Sequence, residues 1–414
     1  MSFNSHSFDR STKRGPSFAA LTGLGRGGLV LAIALLNPAC ALFQQEEPAA
    51  GSSTVTKSYL FMSTYDTASL ISQKLQVFGV DRDTGALTLA TSVNDLSNAQ
   101  NPVVLNGYLY IHSRGENKIR VFKIESTTGA LTEDTTASGD AVLGIYAGSE
   151  FAVDRENNRL AIAYSAGSSG GLKKVRFFQQ DPETGVLTQM GSGTDSSDLT
   201  SGVPDALAFA QDLSQLFIST DYSPGQLGIG SADIALGTYT SEGFRSLRVG
   251  ALFAYPGTNF LIASEAAGGI GTYAIPMGLG SSTVAFKGGD LAFYFAKHPS
   301  LDVIYAAGSV MGTTAYSFNT TTGALTFLNQ AGGAVAVADA YAADGLDVLS
   351  NGKFAYASHY DYSDATNTRL DIYPLDATTG AFGVGATEVD LTALQLSATS
   401  YPRFLTIADF EVEE

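Results

Sequence analysis

The chain has 414 residues, 44% of them hydrophobic, with 45 glycines, 24 phenylalanines, 19 tyrosines and no tryptophan. That composition excludes wholesale disorder and suits either one large all-β domain or two or three ordinary ones, with glycine and aromatics favouring short strands and tight turns. The formal charge is −17, and −20 without the first 41 residues; a field of that sign repels nucleic acid and anionic lipid, so neither is an expected partner.

The first predicted element is an export signal. Arg10, Lys13, Arg14 and Arg26 precede the apolar run GGLVLAIALL, Gly27 to Leu36, which is too short to span a bilayer. Two endings compete. Ala39-Cys40-Ala41 suits an ordinary signal peptidase; alternatively Cys40 is the lipid-bearing first residue of a bacterial lipoprotein. Cys40 is the only cysteine, so no intramolecular disulfide can form, and a polar stretch, FQQEEPAAGSSTVT, follows it. The expected organisation is a signal over 1–41, a flexible tether over 42–57 and a folded domain over 58–414. Membrane attachment is expected only through lipid on Cys40, at the periplasm, outer membrane or cell surface.

One phrase then recurs. KIRVFKIESTTGALTED (Lys118 to Asp134) returns as LQVFGVDRDTGALTLA from Leu75, VRFFQQDPETGVLTQM from Val175, TAYSFNTTTGALTFL from Thr314 and LDIYPLDATTGAFG from Leu370. A short apolar strand precedes each phrase, and two further strands, at Gln215 and Asn259, fill the same slot without it. The seven starts, at Tyr59, Tyr108, Arg159, Gln215, Asn259, Asp302 and Lys353, lie roughly 43 to 56 residues apart. Ahead of the later six stand another strand and a turn rich in Asn, Asp, Gly or Ser, the residues a tight hairpin needs. Four strands in about 50 residues predict a propeller blade, and seven such units predict a seven-bladed β-propeller. The first unit lacks its leading strand, and YPRFLTIADF, Tyr401 to Phe410, matches the missing type. It is expected to pair with the N-terminal blade and close the ring, which removes exposed edges; an open solenoid would have no use for it.

The phrase VFKIESTTGALT resembles the repeats of the β-propeller lactonase family, whose best-known activity is 6-phosphogluconolactonase, and the resemblance extends over the whole mature chain. It implies the fold more strongly than the activity. YIHSRGENKIRVF keeps Arg114 and Gly115 of a family site motif, with Ser113 in place of Asn. RVGALFAYPGTNFLIASEAAGG keeps Glu265, with Ser264 in place of Asn; counting back, the family's His falls on Gly250 and its Arg on Val249. Opening a lactone needs a base for the attacking water and a cation or donor for the oxyanion. Glu265 and Arg114 are the candidate catalytic pair, if they face one pocket. The bland alternative makes Glu265 a strand-end acid and Arg114 a loop cation.

Each of the other chemistry-bearing residues also has a structural role open to it. His298 reads as a turn residue. His112 and His359 end equivalent second strands, but two scattered histidines are no metal signature. DRDTG, Asp81 to Gly85, resembles the start of a calcium loop yet lacks the later acids and reads as a turn. Tyr108, Tyr110, Phe122, Phe177, Phe178, Tyr316, Phe318 and Tyr373 read as packing between blades, with a carbohydrate or peptide platform as the other use. No nucleophile elbow, phosphate loop or dinucleotide fingerprint is present, so no cofactor and no metal is expected. Two functions remain: a non-catalytic binding or scaffold module with a protein or carbohydrate ligand in the cell envelope, or a hydrolase of an extracytoplasmic lactone using Glu265 and Arg114.

Overall fold

A computed structural model describes residues 53–66, 72–97, 99–116, 118–140, 147–165, 173–190, 203–210, 215–221, 228–233, 238–244, 249–265, 269–275, 285–288, 292–308, 312–331, 341–361, 369–392, 394 and 400–413. The expected signal sequence, Cys40 and the expected tether up to Ser52 lie outside the described residues.

The architecture is all-β and propeller-like. The described strands form seven four-stranded antiparallel sheets, six of them laid out in chain order from an inner to an outer strand. The second sheet is typical: Ala99–Leu105, Tyr108–Ser113, Lys118–Ile124 and Leu131–Glu133. The third to seventh sheets begin at Ala147, Val203, Val249, Ala292 and Tyr341. The first sheet takes its inner strand from the far end of the chain: Ser400–Glu413 pairs with Thr54–Asp66, from Thr54 opposite Glu413 to Asp66 opposite Ser400. Thr54–Lys57, at the end of the 42–57 tether, already take part in this pairing. Each inner strand packs against the next around the set, and Tyr341–Val348 of the seventh sheet returns to Ser400–Glu413.

The core is divided in the same way. Seven apolar clusters each bridge two consecutive sheets. Tyr110, Tyr273, Tyr305, Tyr316 and Tyr356 are fully buried in these seams. A buried tyrosine must place its hydroxyl, and for three of these the repeated Thr-Gly turn of the following sheet receives it. Tyr110 donates to the Gly185 carbonyl at 2.8 Å, Tyr305 to Gly380 at 2.7 Å and Tyr356 to Gly85 at 2.9 Å.

The turn itself explains the repeated phrase. Asp81 Oδ1 accepts from the amides of Asp83 and Thr84, and Asn319, Asp181 and Asp376 do the same in their own turns. Gly185 closes its turn at φ +73°, and a Cβ there would lie 2.3 Å from the ring of Tyr108. Only glycine satisfies both the backbone and the neighbouring ring. The Asp81 carboxylate is thus spent on its own backbone, which lowers its pKa through those amide hydrogen bonds and leaves the turn reading of DRDTG in place. His298 is likewise a turn residue: Nδ1 accepts from Ser300 and Leu301, and Nε2 faces the Gly352 carbonyl at 3.3 Å.

Candidate functional site

All seven sheets carry a β-bulge at one level, between the inner and second strands. Bulges turn side chains out of the regular pleat and recur beside binding sites. In the fifth sheet Val249 lies opposite Glu265, Gly250 is the extra residue, and Ala251 lies opposite Ser264. In the seventh, Ala343 lies opposite His359 and Gly345 opposite Ser358, with Asp344 extra. In the second, Gln100 lies opposite His112 just before the bulge. Glu265 and His359 occupy one equivalent slot, which Ser113 fills in the second sheet, where it pairs with Lys118 as His359 pairs with Arg369. His112 pairs with Ile119 and stands one place earlier, at the position of Ser358, so the expected equivalence of His112 and His359 does not hold. Glu265, His359, Ser113, His112 and Ser358 are all buried. The serine beside this slot ties one sheet to the next: Ser219 donates to the Val249 carbonyl at 3.1 Å, Ser264 accepts from the Ala292 amide at 2.6 Å, and Ser358 donates to the Arg403 carbonyl.

Glu265 ends the strand Phe260–Glu265 and is 6% exposed. Its cross-strand neighbours are Val249 and Gly269. The side chain lies over Gly271, where a Cβ would come 2.9 Å from Glu265 Oε1 and 3.0 Å from the Tyr273 hydroxyl. Val249 carries no charge, and Gly250 has no side chain. Arg114 opens a short 3-10 turn, Arg114–Glu116, after the second strand of the second sheet. Its side chain lies outside the described residues, and the third and fourth sheets stand between it and Glu265 along the shorter way round.

The same slot in the seventh sheet has a different character. Arg369, Asp371 and Tyr373 alternate along the strand Arg369–Pro374 and so share one face. His359 lies opposite Arg369. Three groups converge on Asp371 Oδ2: the Tyr373 hydroxyl at 2.8 Å, Arg369 Nε at 2.9 Å and His359 Nε2 at 3.4 Å. Tyr373 spends its proton on Asp371, so its oxygen accepts from His359 Nε2 at 3.2 Å. The imidazole proton is thereby fixed on Nε2. Nδ1 is left as a bare acceptor, buried and with no partner among the described residues.

Burial, helped by the Arg369 charge, pulls the His359 pKa down to about 3, so the ring is neutral at ordinary pH. Burial pushes Asp371 upward against the pull of Arg369, and Glu388 adds to the rise. Tyr373 is raised, first by burial and then by the Asp371 charge.

This cluster lines a cavity of about 450 Å³ between the sixth and seventh sheets, shared with Thr313, Asn329 and Gln330 of the sixth and Phe382 to Ala386 and Glu388 of the seventh. The volume is that of a small-molecule site. His359 and Asp371 offer two metal-ligand atoms. Among the described residues no group of three or more His, Cys, Asp or Glu stands together to hold an ion.

Motif reading found His359, and Tyr373 as a blade aromatic, but not Asp371 or Arg369. Aligning the five phrases on their glycines would have exposed them. The position of Asp371 carries Gln76, Arg120, Arg176 and Thr314 in the other four, and the position of Tyr373 is always aromatic. A carboxylate stands there in the seventh sheet alone.

No family profile matches the chain, and no curated protein matches it in sequence. Among solved structures it is similar to a Bacteroides fragilis NCTC 9343 protein described as "a putative 6-phosphogluconolactonase", 14% identical, with a TM-score of 0.58 over 85% of this chain and 98% of that one. A Bacteroides uniformis ATCC 8492 protein of the same description is 16% identical, with a TM-score of 0.59 over 85% of this chain and 99% of that one. The propeller-like fold expected from the repeats is shared with these lactonase-like proteins; identity at this level carries the fold and not the chemistry.

Proposed function

We propose that the protein is an exported, envelope-associated, seven-bladed β-propeller that acts as a non-catalytic binding or scaffold module, tethered through lipid on Cys40. Export is supported by the basic and apolar segments before Cys40, and anchoring by the position of that sole cysteine ahead of a polar tether. The blade number is supported by the seven four-stranded sheets and by the pairing of Thr54–Asp66 with Ser400–Glu413.

The observation that carries the non-catalytic reading is the neighbourhood of Glu265. Its cross-strand partner is Val249 and the adjoining bulge residue is Gly250, so neither of the positions the family resemblance assigns to an Arg and a His can move a proton or steady an oxyanion. The ligand seat is instead the cavity lined by His359, Asp371 and Tyr373.

The test is hydrolysis of a panel of sugar and aromatic lactones by the purified protein and by Glu265→Gln. The proposal expects turnover at background in both. Turnover by the wild type that vanishes in the variant would make Glu265 a base and overturn it.

A further inference from the structure

We propose that the cavity between the sixth and seventh sheets takes a neutral polyhydroxylated ligand, a sugar or short glycan, and turns away phosphorylated and carboxylated ones. This deepens, and rests on, the binding-module reading above.

Charge decides the first half. Among the described lining residues Arg369 is the only cation, and its Nε is 2.9 Å from Asp371 Oδ2. Glu388 adds a second carboxylate, close enough for its charge to raise Asp371. An entering phosphate or carboxylate would meet one matched cation and a surplus of negative charge. Anion recognition needs the reverse, a donor fork left open to the ligand.

Hydrogen bonding decides the second half. The wall mixes acceptors and donors: the Asp371 and Glu388 carboxylates, the Thr313 hydroxyl and the Gln330 amide. His359 Nδ1 is a buried acceptor without a partner among the described residues, in a structure class where buried polar atoms are nearly always satisfied. A sugar hydroxyl can both donate and accept, and so can answer a bare imidazole nitrogen and a carboxylate alike. A purely apolar ligand would strand these groups. Phe382, 6% exposed, and Val384, fully exposed at the rim, supply apolar surface for the C–H face of a sugar ring.

The experiment is calorimetric titration of the full chain with glucose, N-acetylglucosamine and maltotriose, set against gluconate and 6-phosphogluconate. Two variants accompany it. Ala386 is exposed on the cavity rim, so Ala386→Trp fills the cavity from outside the core. Glu388→Lys reverses the charge of an exposed wall residue. At least one neutral sugar is expected to bind, with both anions about tenfold weaker or worse. Ala386→Trp is expected to weaken that binding about tenfold or more, and Glu388→Lys to improve the anions by about tenfold. Binding of none of the sugars at millimolar concentration, tighter binding of an anion than of any neutral sugar, or wild-type binding by Ala386→Trp would each overturn the inference. Lactone turnover lost in Glu265→Gln would sink the non-catalytic reading instead, and would leave the sugar titration to be judged by itself.

Discussion

Glu265 in the fifth sheet and His359 in the seventh stand in the same slot, each the last residue paired with the third strand and each beside the same bulge toward the inner strand. Their surroundings differ in what the third strand presents. Behind Glu265 that strand offers Gly271 and Tyr273, and its backbone comes so close that a single added methyl group would collide with the carboxylate. Behind His359 it offers Arg369, Asp371 and Tyr373, and a cavity opens beside them. A repeat fold fixes where a side chain is presented; the neighbouring strand decides whether the position becomes packing or a site. The slot that resembles a known catalytic position is the closed one, and the open slot has no counterpart in that resemblance.

The largest effect that would break this contrast is in the seventh sheet. Asp371→Ala removes the acceptor on which Tyr373, Arg369 and His359 converge and strands the buried Tyr373 hydroxyl. It should cost about 1.5–3 kcal/mol in a urea melt. A loss below about 1 kcal/mol would mean the cluster is not closed around that carboxylate. In the fifth sheet, Gly271→Ala tests how tightly the Glu265 slot is shut. The contacts at 2.9 and 3.0 Å should cost about 1–3 kcal/mol, and a neutral result would mean that Glu265 can swing clear.

Acid titration sharpens the comparison further. The folded His359 pKa is lowered to about 3 from 6.5. The unfolded chain therefore gains a proton first as pH falls below 6.5, while the folded chain does not. The stability His359 contributes is complete above pH 6.5 and is lost as pH falls toward 3. Asp371, whose folded pKa is raised, works the opposite way: its contribution is complete below its unfolded pKa and fades as pH rises through the folded one. Asp371 is present in wild type and in His359→Gln alike. The difference in slope between wild type and His359→Gln over that window should approach about 1.4 kcal/mol per pH unit; parallel curves in denaturant melts across the window would contradict a neutral buried imidazole. The smallest effect expected is from Tyr305→Phe, which removes the hydroxyl bond to Gly380 between the same two sheets. It should cost about 1 kcal/mol and leave sugar titrations unchanged, since Tyr305 does not line the cavity.

The sheets were legible in the sequence because each blade repeats one solution. The Thr-Gly turn needs glycine under a neighbouring ring, the second strand needs apolar residues on both faces, and the terminal strand needed a partner that only the N-terminus could supply. Where the repeat decays, as after Gln215 and Asn259, the strands were still recognisable by their apolar pattern. The cavity was not legible. It depends on which third-strand residues face His359, and Asp371 sits inside a phrase whose repetition advertises structure rather than chemistry. Its exceptional character emerges only when the five phrases are compared position by position. Glu265 was found through a family resemblance, which gave its place on the strand and nothing about Gly271 behind it.

One spectrum bears most directly on the claim that function resides in the seventh-sheet slot. The chain has four histidines, so nitrogen-labelled imidazole resonances can be assigned with His359→Gln as reference. Titration with the neutral sugar that binds in calorimetry should shift the His359 Nδ1 signal, as its bare lone pair gains a donor, and leave His112 in the second sheet unmoved. A His359 signal that stays fixed while the sugar binds, or a shift at His112 in its place, would contradict the account.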